Sequence, residues 1–296
     1  MEVEDENPNI YRTDEGMRVF RGLYEEVLAQ ISGEVERRWV STEFGPTHVL
    51  VAGPADAPPA VVLQGGNFPN PVTLLWFSAL LPQFRVYAPD LPGSPGYSAP
   101  RHLHTIPGAL QRWHLQVLDA LQVQRAPHLG ASYGAGVVLE VAVSALERID
   151  RLVLLMPAGI ARPRPWTLVR ELAFPMLRHR LRPTPPRLLS AVQALHTDPP
   201  DELILRVHAA IFRHLRLVRR MAAPPDPAAL ARARIPALVV AGERDPLFPA
   251  EAVRRKVAGV LPRARVLALK GTRHFPASGD SEVISREMLR FLGDQP

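Results

Sequence analysis

Three residues able to build an activated nucleophile, Ser132, Asp245 and His274, each follow a short apolar run. Ser132 lies in "HLGASYGAG", residues 128–136, between one apolar run and another, "VVLEVAV". A serine hydroxyl is a weak nucleophile near neutral pH, so it needs a base, and the base needs a carboxylate to orient it. Among the ten histidines, His274 is best placed for the base, because it follows the last apolar run in "RVLALKGTRH" and precedes the last helical stretch. Asp245 follows the preceding run, in "LVVAGERDPLFP", and is the expected acid; Glu243, two residues earlier, is the alternative acid. "GASYG" fits G-x-S-x-G, and alone it fits a small-residue strand-to-helix turn as well. Three placements in a consistent order are far more specific.

Acyl transfer also needs donors for a tetrahedral oxyanion. The segment "LQGGNFPN", residues 63–70, follows a third apolar run. Its Gly66 N–H, with the N–H of Tyr133 after the serine, is the expected pair; alone, the segment reads equally as a turn.

These residues must be held by the surrounding elements. "RRWVST", "THVLVAG", "AVVLQGG" and "RVYAPDL" read as strands, followed by "APHLGAS", "RLVLLMPAG", "PALVVAGERD" and "RVLALKG". Residues 13–31 read as a helix capped by Thr13, and further helices are expected over 72–82, 105–122, 133–147, 249–259 and 280–292. Two strands pair early, and strands then alternate with helices, which predicts an α/β domain with a mostly parallel sheet. The alternation breaks between about 160 and 225, a Pro- and Arg-rich region whose clearest helix is 201–220. Ligands of open parallel sheets bind at the carboxyl ends of strands, so an insertion leaving from such an end is expected to lie over the site.

The 296 residues include no cysteine, which excludes disulfides and thiolate metal sites. The formal charge is +6, and all the lysine is Lys256 and Lys270; the rest of the positive charge is arginine. No basic run with interleaved aromatics and no zinc-finger spacing is present, so a nucleic-acid partner is not expected. No apolar run is long enough to span a bilayer and the acidic start "MEVEDENPNI" does not read as a secretory leader, so a cytoplasmic protein with no membrane partner is expected. Other histidines, such as His102, His104 and His114, form no metal-ligand spacing, and neither metal nor cofactor is expected. His128, inside the strand before Ser132, reads as a core histidine, and Asp90 as a residue that fixes its loop.

The chain resembles the α/β-hydrolase superfamily over roughly residues 36–294. "VYAPDLPGSPGYSAP" is similar to the family's segment after the fourth strand, "GASYGAG" to its nucleophile elbow, "GERDPLFP" to its acid loop and "GTRHFP" to its histidine loop. The resemblance implies an eight-stranded, mostly parallel sheet with a helical cap, and a two-step mechanism through an acyl-enzyme. Where the family often has His-Gly this chain has Gln64-Gly65, and Arg273 stands where a glycine often precedes the catalytic histidine. The expected organisation is an N-terminal helical extension over 1–33, a core over 34–159 and 223–296, and a helical cap over 160–222.

The expected function is hydrolysis of a small carboxylic ester. Thioester, lactone, amide and C–C bond hydrolysis use the same triad, and a non-catalytic ligand-binding homologue is the alternative of another class. An aminopeptidase would want acids in the cap, which offers mainly Glu171, Asp198, Asp201 and Glu202. Between 160 and 222 the sequence places twelve arginines against those four acids. One or two of these arginines, with Arg273, are candidates to hold an anionic part of a substrate; the plainer alternative is a solvated surface.

Overall fold

Every expected apolar run becomes a strand of one eight-stranded sheet. The structure, a computed structural model, describes residues 9–103, 106–162, 165–216 and 226–293. Its strands are β1 (Val35–Thr42), β2 (Gly45–Ala52), β3 (Pro59–Leu63), β4 (Arg85–Pro89), β5 (Ala126–Ala131), β6 (Ile149–Leu155), β7 (Ala237–Gly242) and β8 (Ala264–Leu269), in the spatial order β1-β2-β4-β3-β5-β6-β7-β8. The β1–β2 and β2–β4 pairs are antiparallel, and all pairs from β4 to β8 are parallel.

Helices cover both faces of the sheet, which is why its central strands are apolar throughout rather than alternating. In β7, Ala237, Val239 and Ala241 face one core and Leu238 and Val240 the other. Around the sheet run α1 (Asp14–Leu28), α2 (Asn70–Trp76), α3 (Ala109–Ala120) and α4 (Tyr133–Ser144). Between β6 and β7 come α5 (Pro165–Leu168), a π-turn over Val169–Ala173, α6 (Phe174–Leu181), α7 (Pro185–Val192), α8 (Glu202–His214) and α9 (Pro227–Ala233). Then α10 (Ala250–Val257) precedes β8 and α11 (Ser278–Gly293) follows it. None of the described helices is long and apolar enough to cross a membrane.

Helix α1 starts where Thr13 predicts, since its hydroxyl accepts from the Gly16 N–H at 3.1 Å. Its buried face joins α2 and α8 in a separate cluster containing Phe20, Leu23, Val27, Val72, Val207 and Ile211. Arg206 on α8 grips Glu26 on α1 through two hydrogen bonds of 2.6 and 2.8 Å. The N-terminal helix therefore ties the insertion to the core.

Helix α8 ends at His214, earlier than the 201–220 pattern predicts. Its capping residue, Leu215, is extended because the backbone turns to pair with the segment before α1: Arg12 N–H donates to His214 O at 2.8 Å and Arg216 N–H to Ile10 O at 2.7 Å. The rest of that expected helix from 217 onward, Arg164, Arg219, Arg220, His104 and the expected boundary at 222–223 lie outside the described residues.

Candidate active site

Ser132 follows β5 directly and opens α4, with φ 51° and ψ −114°. A positive φ on a residue with a Cβ costs free energy, of order 1–3 kcal/mol, and must be held by its surroundings. Backbone bonds on both sides hold it: Ser132 N–H donates to Leu155 O at 2.8 Å, and Ala158 N–H donates to Ser132 O at 3.1 Å. The flanking glycines of "GASYG" are explained by close approach. A Cβ on Gly130 would lie 2.6 Å from Ala135 N, and one on Gly134 would lie 2.3 Å from Leu63 O. The tight turn points the half-buried Ser132 hydroxyl out past the sheet's edge.

Two further strand ends bring their loops to the same edge. His274, in the loop after β8, places Nε2 3.0 Å from Ser132 Oγ, and its Nδ1 lies 2.8 Å from Asp245 Oδ2, in the loop after β7. An ionised carboxylate only accepts, so Nδ1 carries the hydrogen and Nε2 presents its lone pair to the serine hydroxyl. Asp245 is 2 % exposed, and its other oxygen accepts from the Leu247 N–H at 2.8 Å. Glu243 turns elsewhere: its Oε2 accepts from the Gly271 N–H at 3.4 Å, on the exposed side of the loop.

Gly66 lies three residues beyond β3, so close to Tyr133 that a Cβ there would be 3.0 Å from the Tyr133 Cβ. Neither the Gly66 nor the Tyr133 N–H has a hydrogen-bond partner among the described residues. Tyr133 is the first residue of α4, where N–H groups have no intrahelical acceptor. Gln64 secures the neighbouring loops. Its amide donates to Phe68 O at 2.9 Å and its Oε1 accepts from Leu91 N–H at 2.8 Å. Burial pushes the Tyr133 hydroxyl up to about 12, with Glu140 adding to it, so this side chain stays neutral.

Beside Ser132 and His274 opens a cavity of about 200 Å³. Trp76 and Phe68 form part of its wall on the core side, and Met176, His208, Ile211 and Phe212 on the insertion side. None of the described residues lining it is Arg, Lys, Asp or Glu; Asp245 stands behind His274. Arg273 does not reach this cavity. Its guanidinium donates to Ala194 O at 2.8 Å, lies 3.8 Å from Glu171, and borders two neighbouring clefts instead.

The histidine loop is laced to the insertion, which sequence patterns do not disclose. Phe275 N–H donates to Leu195 O at 2.7 Å, and Thr197 N–H donates to Phe275 O at 3.0 Å. Arg273 N–H donates to the Thr197 hydroxyl at 2.9 Å, and that hydroxyl donates to Phe275 O at 2.8 Å. The His196 ring stacks on Phe275 with centroids 4.2 Å apart.

Asp90 is fully buried, and its carboxylate accepts from the Tyr24 hydroxyl at 2.9 Å, the Asn70 amide at 3.0 Å and the Tyr97 N–H at 2.8 Å. His48 Nδ1 stands 3.1 Å from the same carboxylate, which thus fixes the loop after β4. His128 is a core residue. Its Nδ1 lies 2.9 Å from Ala126 O and its Nε2 lies 2.8 Å from His114 Nε2.

The sequence matches the Alpha/beta hydrolase family over residues 34–286, most of its length. The chain belongs to this family. Within it, the chain is similar to Carboxylesterase YbfK of Bacillus subtilis (strain 168), with 32 % identity over 145 residues, 49 % of this chain and 49 % of that one. It is also similar to a protein of the same strain described as "Uncharacterized carboxylesterase nap", 29 % identical over 154 residues, 51 % of this chain and 50 % of that one. The matched segment thus spans about half the length of these relatives. The fold is shared much further: the crystal structure of carboxylesterase CesB (YbfK) from Bacillus subtilis superposes with a TM-score of 0.82 at 24 % identity, covering 96 % of this α/β hydrolase and 100 % of that chain.

Proposed function

We propose that this α/β hydrolase hydrolyses small, neutral carboxylic esters through an acyl-enzyme, with Ser132 as nucleophile, His274 as general base and acid, and Asp245 as the group that orients His274. The observation that carries this assignment is the chain of contacts Ser132–His274–Asp245, at 3.0 and 2.8 Å, at the mouth of an apolar cavity. The similarity to carboxylesterases over half the chain supports the choice of ester chemistry.

In the first step, Ser132 Oγ attacks the ester carbonyl carbon while His274 Nε2 takes the hydroxyl proton. The carbonyl oxygen becomes an oxyanion, and the unpartnered N–H groups of Gly66 and Tyr133 are the donors to receive it. The tetrahedral species collapses, the C–O bond to the alcohol breaks, and His274 gives its proton to the departing oxygen. A water then attacks the acyl carbon with His274 as base, the acid is released, and Ser132 regains its proton. The helices between β6 and β7 act as the cap: Met176, Ile211 and Phe212 close the far side of the cavity and exclude water from the substrate's apolar part.

Among the described residues, no Arg or Lys lines the cavity to hold a substrate carboxylate. This favours neutral acyl groups over the anionic substrate considered from the arginine content.

The direct test is turnover of a panel of p-nitrophenyl esters of increasing acyl length, with Ser132→Ala beside the native protein. Hydrolysis by the native protein and a loss on the order of 10⁴ or more in kcat for the variant, at an unchanged melting temperature, are expected. Retention of most of the activity in Ser132→Ala would remove the assignment.

A further inference from the structure

The helical run from Pro165 through the π-turn to Leu181 has two faces of opposite purpose. Its residues keep right-handed helical backbone at both junctions, so it is one rod, about 25 Å long at ~1.5 Å per residue. The inner side carries Leu172, which is buried, and Met176, which lines the cavity. The outer side carries Trp166, Val169, Phe174, Leu177 and Leu181, spaced three, four or five residues apart, and α7 adds Leu189 at its border. These are six of the nine large apolar side chains that stand exposed among the described residues. Trp166 is 74 % exposed, Phe174 57 % and Leu181 77 %. Isolated exposed apolar residues are ordinary, whereas a continuous stripe on one helix marks a surface that something covers.

The charge beside the stripe indicates what covers it. Arg170, Arg178, Arg180 and Arg182 flank it, all exposed. The acid in this run, Glu171, is half-buried and turned to Arg170 at 3.0 Å and Arg273 at 3.8 Å. Arg180 and Arg182 form no ion pair among the described residues. A two-fold copy of this face would set its arginines against themselves with only the already engaged Glu171 to offset them, because a two-fold interface uses the same patch on both partners. An anionic lipid surface matches both features. Aliphatic and aromatic side chains enter the region below the headgroups, the tryptophan favours that boundary, and arginines meet the phosphates.

We infer that the outer face of residues 165–181 docks this protein on an anionic lipid–water interface, with the helix lying in the surface plane and the cavity behind it. This surface is independent of the Ser132 chemistry, and so is its test.

The full chain is mixed with sucrose-loaded vesicles of phosphatidylcholine alone, or of phosphatidylcholine with about a third phosphatidylglycerol, and sedimented. Binding is expected to the anionic vesicles and at least about tenfold less to the neutral ones, and it should weaken as salt rises from about 0.05 to about 0.5 M. The double variant Phe174→Ser/Leu177→Ser, with an unchanged melting temperature, should lose at least about tenfold in partitioning to the anionic vesicles. Arg180→Glu/Arg182→Glu should abolish the preference for anionic lipid. Equal partitioning of the apolar double variant and the native protein would overturn the inference, because binding would then be due to net charge alone. So would failure of the native protein to sediment with anionic vesicles, or a dimer in sedimentation equilibrium that the apolar substitutions dissociate.

Discussion

The Nε2 atoms of His196 and His208 lie 2.8 Å apart in the segment between β6 and β7, where His208 lines the cavity beside Ser132. At that distance they share one proton, so the pair cannot be doubly charged. Burial first, then the neighbouring His196, lowers His208 to about 3; burial first, then His274, lowers His196 to about 4, against the opposing effect of Asp201. A second pair behaves alike: burial lowers His128 to about 4, and burial with His128 beside it holds His114 well below the ordinary range.

These four histidines make stability depend on pH. Between their native pKa values and the ordinary value of about 6.5, the unfolded chain binds more protons than the native one. Their contribution is therefore fully present above about pH 6.5 and is lost as pH falls toward 4, with a limiting slope of about 1.4 kcal/mol per pH unit for each histidine. Urea unfolding at a series of pH values should show a midpoint that is flat above neutrality and falls steeply below about pH 6. A midpoint unchanged down to pH 4 would contradict the neutral, buried pairs.

Asp245 and Glu243 make different contacts, and their substitutions should separate accordingly. Asp245→Asn leaves an amide where His274 Nδ1 needs an acceptor, so kcat should fall by roughly 10³–10⁴ with little change in KM. Glu243→Gln should stay within about threefold of the native rate, because among the described residues its carboxylate contacts the Gly271 N–H and not His274. A larger effect from Glu243→Gln, read in the same steady-state assay, would reverse the assignment of the acid.

Arg273 holds the Ala194 carbonyl and borders other clefts, so it should not select substrates by charge. An ester with a free carboxylate in its acyl chain should have a kcat/KM at least about tenfold below its neutral isostere, because the cavity would strip water from an unpaired charge. Arg273→Ala should change both substrates by the same factor, through looser attachment of the histidine loop to the segment between β6 and β7. A selective loss for the carboxylate ester would show that the guanidinium reaches the substrate.

Much of this was legible in the chain because the residues concerned obey local rules. Most strands of the sheet are apolar runs bounded by turn residues, and Ser132, Asp245 and His274 each stand just past one of them. Gly130 and Gly134 announce the elbow because a side chain at either position would strike backbone. The early end of α8 was hidden because its apolar pattern continues beyond His214, and only pairing with residues 10–12, two hundred positions away, interrupts it. The clamp of Thr197 on Phe275 and the destination of Arg273 were hidden for the same reason, since both depend on how the insertion folds back. The outward stripe from Trp166 to Leu181 reads in sequence as an ordinary amphipathic helix, and periodicity alone does not say which face the molecule leaves uncovered.

The central claim is that Ser132 is the activated nucleophile, and a fluorophosphonate probe tests it most directly. Ser132 Oγ would attack phosphorus and expel fluoride, leaving a stable phosphonyl ester on the enzyme. Intact-mass measurement should show one adduct per chain, fragmentation should place it on Ser132, and Ser132→Ala should show none. An adduct on another residue, or undiminished labelling of Ser132→Ala, would contradict the account.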